Sequence, residues 1–177
     1  MRRIVAIFLC ALFLPPSSML YGMDDLQRRE FDRIANLSLA ELTEEASRAL
    51  EKKYPEKSWS IYNFPGYTES TPSVYTAYRI AAMEPQLLGD PEIGVKDGTL
   101  PCYCFCEAMG HRNLLYCFWK DGIAGGRFDD HAANCDICVG QAMLAFLWAE
   151  LGAKREEIRA GMERKFRWLL EKHRERR

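Results

Sequence analysis

The sequence predicts an all-α fold: a single helical domain of about four main helices, with an irregular Cys/His-rich loop packed on the central one. Three observations carry this. Apolar residues recur at helical spacing in separate stretches, each bounded by capping residues or prolines. The run over residues 139–151 is apolar almost all round, which is the pattern of a buried central helix. No stretch alternates polar and apolar residues as a half-buried strand would. The chain has 177 residues, 48% apolar and 28% charged, an ordinary balance for a globular protein with a real core. Its formal net charge of −1 supplies no field that would recruit nucleic acid or an anionic membrane.

The chain opens with MRRIVAIFLCALFLPPSS. Arg2 and Arg3 precede an apolar run over residues 4–14, which is too short to span a bilayer comfortably. Residues 1–22 are therefore expected to be an export signal, cut after Gly22 or kept as an N-terminal anchor. The mature protein would then be periplasmic or otherwise outside the cytoplasm, touching a membrane only through an uncleaved N-terminus. Cys10 lies within the apolar run and would leave with the signal. Arg2-Arg3 alone does not make a twin-arginine signal, so the chain would cross unfolded and acquire any metal outside the cytoplasm.

Residues 23–70 form an N-terminal region of helices and an aromatic loop, continuous with the domain core over 71–177. Leu26, Phe31, Ile34 and Leu37 suggest a short amphipathic helix over residues 24–36. Ser38 followed by Glu41 is a capping box, and Leu39, Leu42, Ala46, Ala49 and Leu50 make a stripe behind it. That helix is expected over residues 39–53, stopped by Pro55. Trp59, Tyr62, Phe64 and Tyr67 crowd a loop marked by Pro65-Gly66, and their expected role is to lay the loop on the core. Thr71-Pro72 reads as a cap with proline in the first helical position, opening a helix to about residue 83 that Pro85 ends. Residues 86–101 read as irregular. Asp129 or Asp130 is expected to cap the central helix, over residues 130–151, with Gly152 just beyond it. A last helix over residues 154–173 turns Ile158, Met162, Phe166, Leu169 and Leu170 inward. The basic residues at its end complement the helix dipole as a solvated tail.

The chemistry is concentrated between Cys102 and Cys138, a stretch that holds six of the chain's seven cysteines and two of its three histidines. His131, Cys135 and Cys138 stand at i, i+4 and i+7. On one helix they would form a single stripe of an imidazole and two thiols. Cys102, Cys104 and Cys106 present three thiols to one side if extended, or wrap around an ion if looped. Tyr103 and Phe105 would then point away and shield them. His111 opens an expected short helix over residues 111–119, with Cys117 near its far end. Six thiols and two imidazoles make eight soft donors, enough for two four-coordinate sites or one bridged thiolate cluster. Such donors favour copper(I), zinc or iron–sulfur centres, and transport of an unfolded chain counts against the last. Asp129, Asp130 and Asp136 would hold an imidazole in one tautomer or simply start the helix.

Two other readings of the same thiols stay open. Cys135-Asp-Ile-Cys138 is a Cys-x-x-Cys at a helix start, where the dipole activates a thiol for redox exchange. An exported chain with six clustered cysteines can also form three disulfides.

The cluster resembles a known family. Pro101-Cys102-Tyr103-Cys104-Phe105-Cys106, then Gly110-His111 with Leu114-Leu115, Cys117-Phe118, and His131-Ala132-Ala133-Asn134-Cys135-Asp136-Ile137-Cys138 are similar in order and spacing to the bacterial family named for its PCYCGC motif. The resemblance runs over residues 71–166 and includes Glu157-Ile158-Arg159. Members are exported or membrane-anchored and largely uncharacterised, and some carry selenocysteine in place of a motif cysteine. That implies a soft-metal site or thiol redox chemistry. Phe105 departs from the motif's glycine. Glycine would permit a positive-φ turn that phenylalanine resists, so Phe105 implies either a negative φ there or a site that tolerates bulk. Ala153-Lys154 also stand where a serine cap for the last helix is expected.

The reading this supports is a metal-binding protein for copper(I) or zinc. Its expected ligands are Cys102, Cys104, Cys106, His111, Cys117, His131, Cys135 and Cys138. It would serve in trafficking, sequestration or sensing, with a metal-delivery or redox protein as partner, and not as an enzyme. A thiol–disulfide protein is the alternative.

Overall fold

The structure is a computed structural model that describes residues 23–54, 59–89 and 100–175. The expected export signal and the Pro55 helix stop lie outside the described residues. Six α-helices are described: α1 (Asp25–Ala35), α2 (Leu39–Lys53), α3 (Pro72–Met83), α4 (Pro85–Leu88), α5 (Asp136–Glu150) and α6 (Arg155–Arg174). Among the described residues there is no strand, only an isolated antiparallel bridge between Trp119 and Phe128. The all-α expectation holds.

The helix starts follow local chemistry. Asp24 and Gln27 form a reciprocal capping box at α1, and Ser38 and Glu41 form another at α2. At α3 the Thr71 hydroxyl accepts from the Val74 amide, and Pro72 takes the first turn. Pro85 does not simply end α3. It also opens the single turn of α4, so residues 86–88, expected to be irregular, are helical. Helix α6 lacks a serine cap, but the Glu157 carboxylate reaches back to accept from the Lys154 amide at 2.8 Å, which satisfies one orphan donor from the other side.

Helix α5 is the axis of the fold. Every residue from Cys138 to Trp148 is buried, and α1, α2, α3, α4 and α6 all pack against it. Phe31 of α1 stacks on Trp148 at 4.2 Å between centroids, and the Trp148 indole donates to the Phe31 carbonyl at 3.0 Å. Gly161 of α6 passes so close that a Cβ there would meet the Phe31 ring at 2.6 Å and Trp148 at 2.9 Å. Only glycine lets α6 approach that corner. At the other end of α2, the buried Glu84 carboxylate accepts from Tyr54 and Gln86 and pairs with Lys53, which also bonds Glu150 at 2.8 Å. One buried charge thereby joins α2, the α3–α4 joint and α5, and its partners offset its desolvation.

The aromatic loop lies on the core as expected. Phe64 stacks on Phe128 at 5.0 Å, Phe128 stacks on Trp119 at 4.0 Å, and Tyr78 meets Phe118 edge-on at 5.1 Å. Trp119 is anchored by its indole, which donates to the Ala81 carbonyl at 2.9 Å. This aromatic layer fixes residues 118–128 and so holds the segments on either side of them, which carry the cysteines and histidines, against α5.

Candidate metal centre

The cysteine triplet is looped, not extended. An extended chain would separate alternate thiols by about 7 Å. Cys102 Sγ and Cys104 Sγ instead lie 3.2 Å apart. The reversal is made at Phe105, which adopts the left-handed conformation (φ 61°, ψ 32°). Of the two expectations for Phe105, the negative φ is overturned. The chain has to turn back so that Cys104 and Cys106 face one cluster, and that demand outweighs the steric cost of a side chain at positive φ. Tyr103 does turn away: its ring stacks on Phe166 of α6 at 5.7 Å.

A 3₁₀ turn over Cys106–Met109 follows and ends at Gly110, whose φ of 87° redirects the chain to His111. The helix expected over residues 111–119 is only a 3₁₀ turn, Leu114–Cys117. Its start is set by Asn113, whose side chain accepts from the Leu115 amide, so His111 and Arg112 stay outside it. His111 Nδ1 nevertheless reaches Cys117 Sγ at 3.4 Å.

The central helix begins later than its sequence suggests. The Asp129 carboxylate accepts from the His131 amide at 2.9 Å, residues Ala132–Asn134 form a 3₁₀ turn, and Cys135 is extended (φ −141°, ψ 97°) as the residue before α5. Neither Asp129 nor Asp130 caps α5. His131, Cys135 and Cys138 therefore do not form one helical stripe. His131 Nε2 approaches Cys104 Sγ at 3.5 Å, and Cys138 Sγ lies 3.5 Å from both Cys102 Sγ and Cys104 Sγ.

Seven of the eight expected donors converge. Three sets of four have their donor atoms all within 4.8 Å of one another: Cys102, Cys104, Cys106 and Cys117; Cys104, Cys117, His131 and Cys138; and Cys106, His111, Cys117 and His131. Cys135 belongs to none of them. It is half-buried and shares a hydrogen bond with Cys104. Cys117, completely buried, belongs to all three. None of the six cysteines is in a disulfide, and the sulfur contacts of 3.2–3.5 Å among Cys102, Cys104, Cys106, Cys117 and Cys138 are far beyond a disulfide bond of about 2.05 Å. They are nearer the separation of about 3.8 Å that tetrahedral zinc thiolates would have with 2.3 Å bonds.

The electrostatics follow from this crowding. Cys104 is pulled far below the usual thiol range by hydrogen bonds from Cys102 first, then Cys106, Cys117 and Cys135. Cys106 and Cys138 are pushed up, because sharing hydrogen bonds with Cys102 and Cys104 keeps them protonated and burial adds to it. The thiols thus share few negative charges among many sulfurs, and a soft cation would release the remaining protons. Burial, then the neighbouring His131, holds His111 below the ordinary histidine range and keeps its imidazole neutral, as a ligand must be. Among the described residues no carboxylate joins the three donor sets, and thiols with imidazoles are donors that suit soft ions better than calcium or magnesium. The cluster is compatible with metal binding.

One residue of the site escapes the motif. Gln141, one turn beyond Cys138, is completely buried. Its Oε1 accepts from the Tyr103 amide at 3.3 Å, and its Nε2 lies 3.8 Å from Cys102 Sγ. The signal for it was an amide inside the otherwise apolar run of α5.

A family model described as a protein of unknown function with PCYCGC motif matches residues 35–170. No curated protein matches the chain. No solved structure matches it. The match takes in α2 through most of α6 and every donor of the cluster, and the chain belongs to the PCYCGC-motif family.

Proposed function

We propose that this protein is an exported binder of copper(I) or zinc that traffics, sequesters or senses the ion outside the cytoplasm. The observation that supports it is the convergence of five thiols and two imidazoles into overlapping four-donor sets with no carboxylate among them. Cys102, Cys104, Cys106, Cys117 and Cys138 act as thiolate ligands, with His111 and His131 as imidazole ligands. A metal-delivery protein is the natural partner. It would approach where Cys104, His111, His131 and Cys135 are only half-buried.

A thiol–disulfide role is the second reading. It is favoured by the free thiols packed side by side and by the low-lying Cys104, which is only half-buried.

The test is to purify residues 23–177 from the native compartment without added metal, and to measure bound metals by elemental mass spectrometry beside a free-thiol count. Stoichiometric copper or zinc, with thiols that titrate only after chelation or denaturation, supports the metal reading. Absence of metal, with disulfides that a mild reductant opens, overturns it in favour of redox chemistry.

A further inference from the structure

The three donor sets are not independent. No two of them are disjoint, because each contains Cys117. The all-sulfur set (Cys102, Cys104, Cys106, Cys117) and the mixed set (Cys106, His111, Cys117, His131) share two residues, Cys106 and Cys117. Two four-coordinate ions with wholly separate ligands therefore do not fit these donors. Two ions with shared ligands do, and the shared residues are the right kind. A thiolate sulfur has lone pairs for two metals, whereas a neutral imidazole nitrogen has one.

We infer that the cluster holds a dinuclear centre in which Cys106 and Cys117 are bridging thiolates. One ion is completed by Cys102 and Cys104, the other by His111 and His131. The inference rests on the metal-binding reading above and goes further by fixing the number of ions and the role of each ligand.

The placement of the side chains agrees. Cys106 Sγ and Cys117 Sγ are 3.4 Å apart, so a planar rhombus with metal–sulfur bonds of about 2.3 Å puts the two metals about 3.1 Å from each other. The terminal ligands are already paired. Cys102 and Cys104 have their sulfurs 3.2 Å apart, and the His111 and His131 rings meet edge-to-face at 4.8 Å. Each ion then has four ligands. One is held by thiolates alone and the other by two thiolates and two imidazoles, and both sets suit tetrahedral zinc. Charge points the same way. Two divalent ions neutralise four thiolates, and three of those sulfurs, on Cys102, Cys106 and Cys117, belong to buried residues where net charge is costly. The third donor set keeps Cys138 within reach as a substitute thiolate ligand.

The experiment is an anaerobic titration of residues 23–177 with zinc(II), and in parallel with cobalt(II) and copper(I), each against a chromophoric competitor. Zinc and cobalt(II) are expected to saturate at two ions per chain. The cobalt(II) spin signal is expected to grow up to one equivalent and collapse towards two, as bridged ions couple magnetically. X-ray absorption of the zinc form should show a zinc–zinc vector near 3 Å. Cys117→Ser should abolish the coupling and hold at most one ion. The paired variant His111→Ala/His131→Ala changes only half-buried positions and should lower the stoichiometry from two to one while keeping the all-sulfur site, so the test survives if Cys117→Ser fails to fold. Saturation of the unaltered protein at one ion, or two cobalt ions without coupling, overturns the dinuclear centre and leaves the metal-binding reading standing. Failure to bind any of the three ions overturns both.

Discussion

Gln141 aims its amide nitrogen at Cys102 Sγ, 3.8 Å away, from a helix position where every neighbour in sequence is buried and almost all are apolar. The same side chain accepts from the Tyr103 amide. Gln141 thus connects the rigid helix to the loop that carries the triplet. Gln141→Leu leaves a buried backbone N–H without its partner and removes a donor to sulfur. The expected cost is about 1–3 kcal/mol of stability in urea unfolding of the apo-protein. Metal affinity, measured by competition, is expected to fall by about 10–100-fold, the usual effect of losing an outer-shell partner. Unchanged affinity would show that Gln141 serves packing alone.

Spacing alone predicts that His131 and Cys135 contribute equally to metal binding. The structure separates them, since His131 belongs to two donor sets and Cys135 to none. His131→Ala is expected to weaken binding by about tenfold or more, and Cys135→Ala by less than about threefold. Competition titrations on the two variants decide it. Equal losses would place Cys135 among the ligands.

Phe105 occupies the left-handed region at the position of the motif's glycine. Phe105→Gly relieves about 1 kcal/mol of backbone strain and returns a similar amount through the greater freedom of the unfolded chain. A net change within about 1 kcal/mol is expected, with metal stoichiometry unaltered. A loss of several kcal/mol on thermal unfolding would mean that the aromatic ring, not the turn, is what this position supplies.

Tyr54 donates to the buried Glu84, and its phenol is pushed up to about 12, by burial first and then by the Glu84 carboxylate. The folded state therefore binds this proton more tightly than the unfolded state, whose phenol titrates near 10. The contribution to stability is complete below about pH 10 and is lost as pH rises from there through about 12. Comparing Tyr54→Phe with the unaltered protein over pH 8 to 12 isolates it, since the thiols titrate alike in both. The stability difference should be constant below about pH 10 and shrink above it.

The sequence was most legible where structure is decided within one turn of chain. Ser38 with Glu41, and Thr71 with Pro72, carry their own start signals, and α2 and α3 follow them. The apolar run of α5 announced the buried axis because no solvent-facing side survives in it. The site was legible as a list of donors, since thiols and imidazoles at ligand spacing have few other uses. Their grouping was not legible. His131 and Cys135 fit a helix by spacing, but Asp129 draws the chain into a turn and Cys135 adopts an extended conformation before α5. The place of Cys117 in every donor set comes from folding residues 100–117 back on themselves, a long-range closure that no local spacing encodes.

Cys102, Cys106, Cys117 and Cys138 are buried, while Cys104, His111, His131 and Cys135 are only half so. The consequence is kinetic. An ion held in these donor sets, behind which lies the buried helix α5, can leave only past the half-buried Cys104, His111, His131 and Cys135. Its residence time is then set by how often the segments carrying Cys104 and His131 lift away, not by bond strength alone. Exchange to a scavenger should accelerate with scavenger concentration and then level off at that opening rate, whichever scavenger is used. A carrier that works this way gives up its cargo when something pries at the outer face, and keeps it against small competitors that merely wait in solution.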